Sequence, residues 1–266
     1  MTRFNLGVVV ESTGLPLRSA VEQAAKWGVE GVQADGVGPL SAHNLSDTGR
    51  REFRNLLKSF NLELSAIGCP IRRGLDVADE LDRRIDTLQK TMQLAYDLGA
   101  KKIVVPCPKL PTDPLSPAAL TLRESLTALT RFGDRVGCLV CLEAGLDDGP
   151  KLREYLKTFD TGSLAVNFDP ANFLVNGHDP LASAVALAGV IAHTHARDAR
   201  RSSVGSGPEE VAVGAGDIEW MAYVATLESI DYRGYLTVER TVGDNRLNDV
   251  AASVRFLRRF APRDEK

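Results

Sequence analysis

The sequence predicts an α/β chain folded as a single (β/α)8 barrel, a TIM barrel, over residues 1–266. Three observations predict it. Short apolar runs alternate with longer stretches whose apolar residues recur at three- and four-residue spacing, the pattern of parallel strands joined by helices. Eight such runs divide the 266 residues into units of about 33, the size of one strand–helix repeat. The first run leads into Glu11-Ser-Thr-Gly-Leu-Pro16, which is neither a Gly-x-Gly-x-x-Gly turn nor a Walker loop. That disfavours the open nucleotide-binding sheet and leaves closure into a barrel.

The expected strands are Leu6–Val10, Gly31–Asp35, Leu62–Cys69, Lys102–Cys107, Cys138–Glu143, Leu164–Asp169, Val190–His195 and Tyr235–Glu239. Trp27-Gly28 should end the first helix, because glycine accepts the left-handed conformation there. Leu81, Ile85, Leu88, Met92, Leu94 and Leu98 form one helical stripe, closed by Gly99. Leu120, Leu122, Leu126, Leu129 and Phe132 form another, with Gly133 as its expected end. Later, Asp179 reads as a helix N-cap with Pro180 in the first helical position. Val250, Val254, Phe256, Leu257 and Phe260 mark the terminal helix.

Composition removes several function classes. The chain is 44% hydrophobic and 25% charged, ordinary values for a globular domain. Lys and Arg number 32 against 35 Asp and Glu, so no overall basic field invites nucleic acid. No apolar stretch reaches the roughly 20 residues of a membrane helix, and the start lacks a signal-type apolar core. A cytoplasmic protein with neither nucleic-acid nor membrane partners is expected; a homo-oligomer is compatible with the sequence. Cys138 and Cys141 make a C-x-x-C, but within a strand they point to opposite faces and cannot clasp one metal. With Cys69 and Cys107 they read as structural cysteines.

In such a barrel the active site lies at the C-terminal ends of the strands. The fifth expected strand ends in Glu143 and the sixth in Asp169. The seventh runs through His193 and His195, and the eighth ends in Glu239. The enlarged interval before Glu239 holds a Gly/Ser-rich loop, Ser202 to Gly216. Alternation turns Glu143 to the face of Cys141 and Leu139, Asp169 to that of Asn167, and Glu239 to that of Thr237. Three converging carboxylates repel one another unless a positive charge sits among them. One divalent cation answers this, and mixed O/N donors suit Mn²⁺, Mg²⁺, Co²⁺ or Zn²⁺. Taken singly, each acid reads equally well as a cap or salt-bridge partner, and His193 as a core histidine. His178 reads as a loop residue before the Asp179 cap, and His43 lies in a polar loop.

At these residues the sequence resembles the sugar isomerase/epimerase superfamily of xylose isomerase-like barrels. That superfamily includes ketose 3-epimerases, hydroxypyruvate isomerase-like and inosose dehydratase-like enzymes and, more distantly, endonuclease IV. The matching stretches are Leu142-Glu143, Asn167-Phe-Asp-Pro-Ala-Asn172, Gly177-His-Asp-Pro180, His193-Thr-His-Ala-Arg-Asp198, Gly214-Ala-Gly-Asp-Ile-Glu-Trp220 and Gly234-Tyr-Leu-Thr-Val-Glu-Arg240. The resemblance implies metal ligands at Glu143, Asp169, His195 and Glu239, with His195 chosen by its H-x-x-D pattern. It also implies that Glu143 and Glu239 are the catalytic acid/base pair of an isomerase or epimerase acting on a sugar, sugar phosphate or polyol ketone through an enediolate.

Asn172, Arg201 and His193 are the substrate-binding candidates. Arg201 stands where the ketose 3-epimerases carry a substrate-contacting arginine, in competition with Arg197 and Arg200. His193 should lie one layer deeper than His195. Ketose 3-epimerases place a histidine at position 172 and a glutamate at 149, where this chain has Asn172 and Gly149. The ligand pattern is kept while the substrate-facing residues differ. An inosose dehydratase-like lyase is the alternative activity, and a non-catalytic metal- or sugar-binding barrel the alternative class. The third and fourth strand ends, Gly68-Cys69-Pro70 and Pro106-Cys107-Pro108, lack the histidines an endonuclease IV-like nuclease requires. The Gly214-Ala-Gly216 turn offers N–H groups to a phosphate; the other reading is a turn capped by Asp217.

Overall fold

Eight parallel strands close on themselves in the computed structural model, which describes residues 4–201 and 207–261. In chain order the strands are β1 (Asn5–Val9), β2 (Gly31–Asp35), β3 (Glu63–Gly68), β4 (Lys102–Pro106), β5 (Leu139–Glu143), β6 (Leu164–Phe168) and β7 (Ile191–Ala196). A short antiparallel hairpin, β8 (Asp198–Arg200) and β9 (Glu209–Val211), stands outside the barrel, and β10 (Tyr235–Val238) completes it by pairing with both β7 and β1. The expected strands are all present, with ends displaced by no more than a residue or two. Part of the expected Gly/Ser-rich loop, residues 202–206, lies outside the described residues.

The helices are α1 (Leu17–Trp27), α2 (Asp47–Ser59), α3 (Leu81–Leu98), α4 (Pro117–Val136), α5 (Gly149–Leu156), α6 (Pro170–Val175), α7 (Pro180–Ala186), α8 (Trp220–Ser229) and α9 (Arg246–Leu257). Their starts follow from local chemistry. Ser46, Ser116, Asp148, Asp169 and Asp179 each cap a helix by accepting a backbone N–H, four of them with proline in the first turn. Gly28 and Gly99 end α1 and α3 in the left-handed region, at φ 73° and 91°. Among the described residues no helix is long and apolar enough to cross a membrane.

Three local expectations are corrected. Gly133 does not end its helix; α4 continues to Val136 and Gly137 caps it at φ 74°. Gly133 is glycine because a Cβ there would come within 2.5 Å of the Cys138 carbonyl oxygen. Leu120 faces solvent, 54% exposed, rather than the stripe of its helix. Asp217 caps nothing: α8 begins later, at Trp220, and the Asp217 carboxylate accepts the Arg201 backbone N–H at 2.8 Å.

The large core lies between barrel and helices, whereas small residues meet inside the barrel. Ala66, Val104, Cys141 and Ala165 form that inner cluster, while Cys138, Val140 and Leu142 of the same β5 segment pack outward. Cys138 and Cys141 therefore face opposite ways, and all four cysteines are free. Burial pushes both of these thiols up to about 12, which keeps them protonated and inert. Above the inner apolar cluster the lining turns polar, and that change places the site.

Candidate metal centre and active site

Glu143 is the last residue of β5, and Asp169 follows β6 directly. His195 is next to last in β7, and Glu239 follows β10. Those four strands are consecutive around the barrel. The structure brings one ligand atom from each of the four residues within 4.8 Å of all the others. Asp169 is fully buried and doubles as the α6 cap, its Oδ1 accepting the Asn172 N–H at 3.1 Å. The cap reading and the cluster reading are thus both true of this residue. The side chains of Glu143 and Glu239 keep 21% and 15% exposure. They open into a mouth cavity of about 320 Å³ that Glu11, Asp35 and Arg246 also line.

His195 is oriented by a residue that sequence reasoning missed. Its Nε2 lies 3.0 Å from Gln33 Oε1, so that nitrogen carries the proton and donates to the amide oxygen. Nδ1 then faces the carboxylates, 3.1 Å from Glu239 Oε2 and 3.5 Å from Glu143 Oε1, with the Asn167 amide at 3.1 Å. Gln33 sits on β2 in the inward register of Gly31 and Asp35. A polar residue in mid-strand was the available signal. His193 lies one layer below, fully enclosed and outside the mouth cavity. Its Nδ1 donates to Asn167 Oδ1 at 2.9 Å, and its Nε2 lies 3.2 Å from the Thr237 hydroxyl. A substrate contact by His193 has no path there, because no surface of the ring is open.

The electrostatics fit a divalent cation. Burial opposes a charge on His195, yet Glu239 and Glu143 hold its imidazole well above the usual range. A proton shared among those groups stands where a cation would balance them. Glu143 is held below the usual carboxylate range: burial opposes this, and the His195 hydrogen bond with the His195 and Arg197 charges outweighs it. Burial pushes Asp169 up, against the pull of Arg197. Glu239 Oε2 is sealed from solvent without a well-formed hydrogen bond. Its imidazole and guanidinium neighbours are ion-pair contacts. Oxygen and imidazole donors at this spacing, with such an orphaned oxygen among them, match a hard to borderline divalent ion.

The substrate candidates divide. Asn172 is at the site, but its amide is committed: Oδ1 accepts from Arg197 at 3.1 Å and Nδ2 donates to Glu143 Oε1 at 3.4 Å. Arg201 is exposed and lines a different cavity beside His178 and Glu219, away from the cluster. Arg197 is the arginine that reaches the ligands, 2.9 Å from Asp169 Oδ2. Strand parity favours it, two residues beyond the inward His195. Gly149 is a packing contact, since a Cβ would come within 2.5 Å of Ser183. The Gly214–Gly216 turn is already filled by an anion. Asp198 accepts from the N–H groups of Gly214, Gly216 and Ile218 at 2.8–3.2 Å and from Trp220 Nε1 at 2.8 Å. That carboxylate occupies the position suggested for a phosphate.

Glu11 and Asp35, beyond β1 and at the end of β2, were also missed. Glu11 Oε1 accepts the Asp35 N–H at 2.9 Å. Burial, with Asp35 adding to it, pushes Glu11 up from 4.5 to about 7. The folded protein therefore holds that proton more tightly than the unfolded chain. The associated stability is complete below pH 4.5 and is lost as pH rises through 7. Glu11→Gln should stabilise metal-free protein at pH 8 by about 1 kcal/mol, a figure reduced for solvent screening at the exposed rim. The gain should fade as pH falls toward 4.5. Denaturant unfolding with chelator present, at a series of pH values, measures it; a pH-independent gain refutes the assignment.

A closed parallel barrel with four clustered potential donors at its C-terminal mouth defines a class of barrels with a candidate metal site. The family follows from direct comparison: the model of the xylose isomerase-like TIM barrel family matches residues 21–260, and the chain belongs to that family. A curated relative, the uncharacterized protein YfiH of Bacillus subtilis (strain 168), is 26% identical, with 89% of this chain and 92% of the relative covered. A xylose isomerase domain protein from Planctomyces limnophilus superposes with a TM-score of 0.85 and 24% identity over 97% of this chain and 99% of that one. A D-tagatose 3-epimerase-like protein follows at 0.78 and 18%, covering 97% of each chain. The probable 3-DHS dehydratase AsbF from Bacillus anthracis follows at 0.77 and 19%, covering 96% of this chain and 98% of that one. At these identities the structural likeness is one of fold.

Proposed function

We propose that this chain is a divalent-metal-dependent isomerase or epimerase of a sugar, sugar phosphate or related polyol ketone. The observation that carries the reading is the division of labour within the cluster. Asp169 is enclosed away from the mouth cavity and His195 lines it while almost fully buried, whereas Glu143 and Glu239 reach both the cluster and the open cavity with exposed side-chain surface. When bound, the cation would polarise adjacent carbonyl and hydroxyl oxygens and stabilise the negative charge of an enediolate. Glu143 and Glu239 rise from non-adjacent strands, so they approach a planar intermediate from different sides. One removes the proton beside the carbonyl and the other returns one. Asn172 holds Glu143, and Arg197 contacts Asp169 Oδ2. Gln33 fixes the His195 tautomer that presents Nδ1.

The test joins metal analysis with solvent-isotope exchange into a panel of ketoses, sugar phosphates and inososes. Uptake of one Mn²⁺, Mg²⁺, Co²⁺ or Zn²⁺ per chain with metal-dependent C–H exchange is expected. Metal uptake without exchange into any panel member would favour a binding barrel. Exchange accompanied by loss of a hydroxyl would identify a lyase of the inosose dehydratase kind.

A further inference from the structure

A chain of alternating charge runs outward from the candidate ligands. Arg197 donates from Nη1 to Asp169 Oδ2 at 2.9 Å and from Nη2 to Glu210 Oε2 at 2.8 Å. Arg240 donates from Nη1 to Glu210 Oε1 at 3.1 Å and from Nε to Asp249 Oδ2 at 3.0 Å. The chain ties the start of α6, the β7–β8 link, strand β9, the segment after β10 and helix α9. Glu210 is its centre. Its side chain is 8% exposed, and it also accepts the Thr241 N–H at 2.7 Å and the Thr241 hydroxyl.

Arg197 is less fully satisfied. Its Nε is buried without a hydrogen-bond partner, 3.6 Å from the equally orphaned Glu239 Oε2. One guanidinium thus stands within reach of two candidate ligands, and Glu210 is the carboxylate that draws it outward. A guanidinium pairs with carboxylates through a rigid fork of donors, and at low local dielectric such pairing is strong. Left without Glu210, Arg197 would keep its bond to Asp169 and turn its unsatisfied Nε onto Glu239 Oε2, an oxygen a divalent ion needs.

We propose that Glu210 is a positioning residue for the cation site: by holding Arg197, which already bonds Asp169, it keeps the guanidinium from closing on Glu239 as well. The inference rests on the metal reading above. Glu210→Gln keeps the size of the side chain and an oxygen for the Thr241 N–H while removing the charge. Titration of metal-stripped protein with Mn²⁺, followed by calorimetry, should show affinity reduced about ten- to a hundredfold. Adding Arg197→Gln removes the competitor, so the double variant should bind Mn²⁺ more tightly than Glu210→Gln alone. A merely structural role predicts the opposite, a further loss.

Wild-type affinity in Glu210→Gln overturns the proposal, and so does a double variant weaker than the single one. Should Glu210→Gln fail to fold, Arg197→Gln alone decides: affinity at or above wild type supports the competition, and any loss refutes it. A wild-type protein that takes up no Mn²⁺ overturns the metal reading and this inference with it. Normal wild-type uptake with an unaffected Glu210→Gln variant removes this inference alone.

Discussion

Glu143→Gln and Glu239→Gln are each expected to lower turnover by roughly two to four orders of magnitude, the usual contribution of a general acid or base. Glutamine preserves length and one oxygen donor, so the cation site should survive in weakened form while the proton carrier is lost. Both side chains open into the mouth cavity, so neither change disturbs the core. The two variants should also differ in kind. If one glutamate abstracts and the other delivers, the variant lacking only the delivering group can still exchange the substrate C–H with solvent while forming no product. Steady-state rates and deuterium incorporation, followed side by side, separate the two roles. A loss under about tenfold in either variant is too small for the assignment.

The two histidines of β7 should respond in opposite ways to truncation. His195→Ala removes one of the four clustered donors and leaves Gln33 Oε1 without its partner. Mn²⁺ affinity should fall by more than the 10–100-fold typical of an outer-layer change, and metal should no longer raise the melting temperature. His193→Ala deletes an enclosed ring that holds Asn167 and contacts Thr237. The expected cost is about 2–3 kcal/mol of folding stability, with cation affinity within about tenfold of wild type. Calorimetric titration and denaturant unfolding measure both quantities. The reverse pattern would assign the ligand to the wrong imidazole.

The barrel was legible because its strands are apolar on both faces and its helices on one, so the two periods alternate visibly along the chain. Strand parity also read correctly which side chains turn inward on β5, β6 and β10. Parity does not give height along the barrel axis or the course of a loop. The resemblance to ketose 3-epimerases points to Arg201, yet after Asp198 the chain enters β8 and Arg201 lines a different cavity, while Arg197 stays beside the cluster. Gln33 escaped notice because its partner lies across the barrel, with His195 162 residues away, whereas Glu11 and Asp35 meet only when β1 pairs with β2. Gly133 misled for another reason. A glycine required by close packing inside a helix looks the same in sequence as one that ends it.

Asp198 gives the loop behind the site an unusual unity. Its carboxylate gathers donors from Gly214, Gly216, Ile218 and Trp220, and a Cβ on Gly216 would come within 2.1 Å of its Oδ1. Charge-assisted bonds of this kind contribute about 1.5–3 kcal/mol each, so the two ends of the stretch are fastened together independently of what lies between. The stretch from Asp198 to Trp220 is therefore a cassette. Its residues Arg201, Asp217, Ile218 and Glu219 line the second cavity, so grafting the whole stretch should vary that cavity and leave the mouth unchanged. Transfer of Asp198 without its donors would leave a buried carboxylate unanswered.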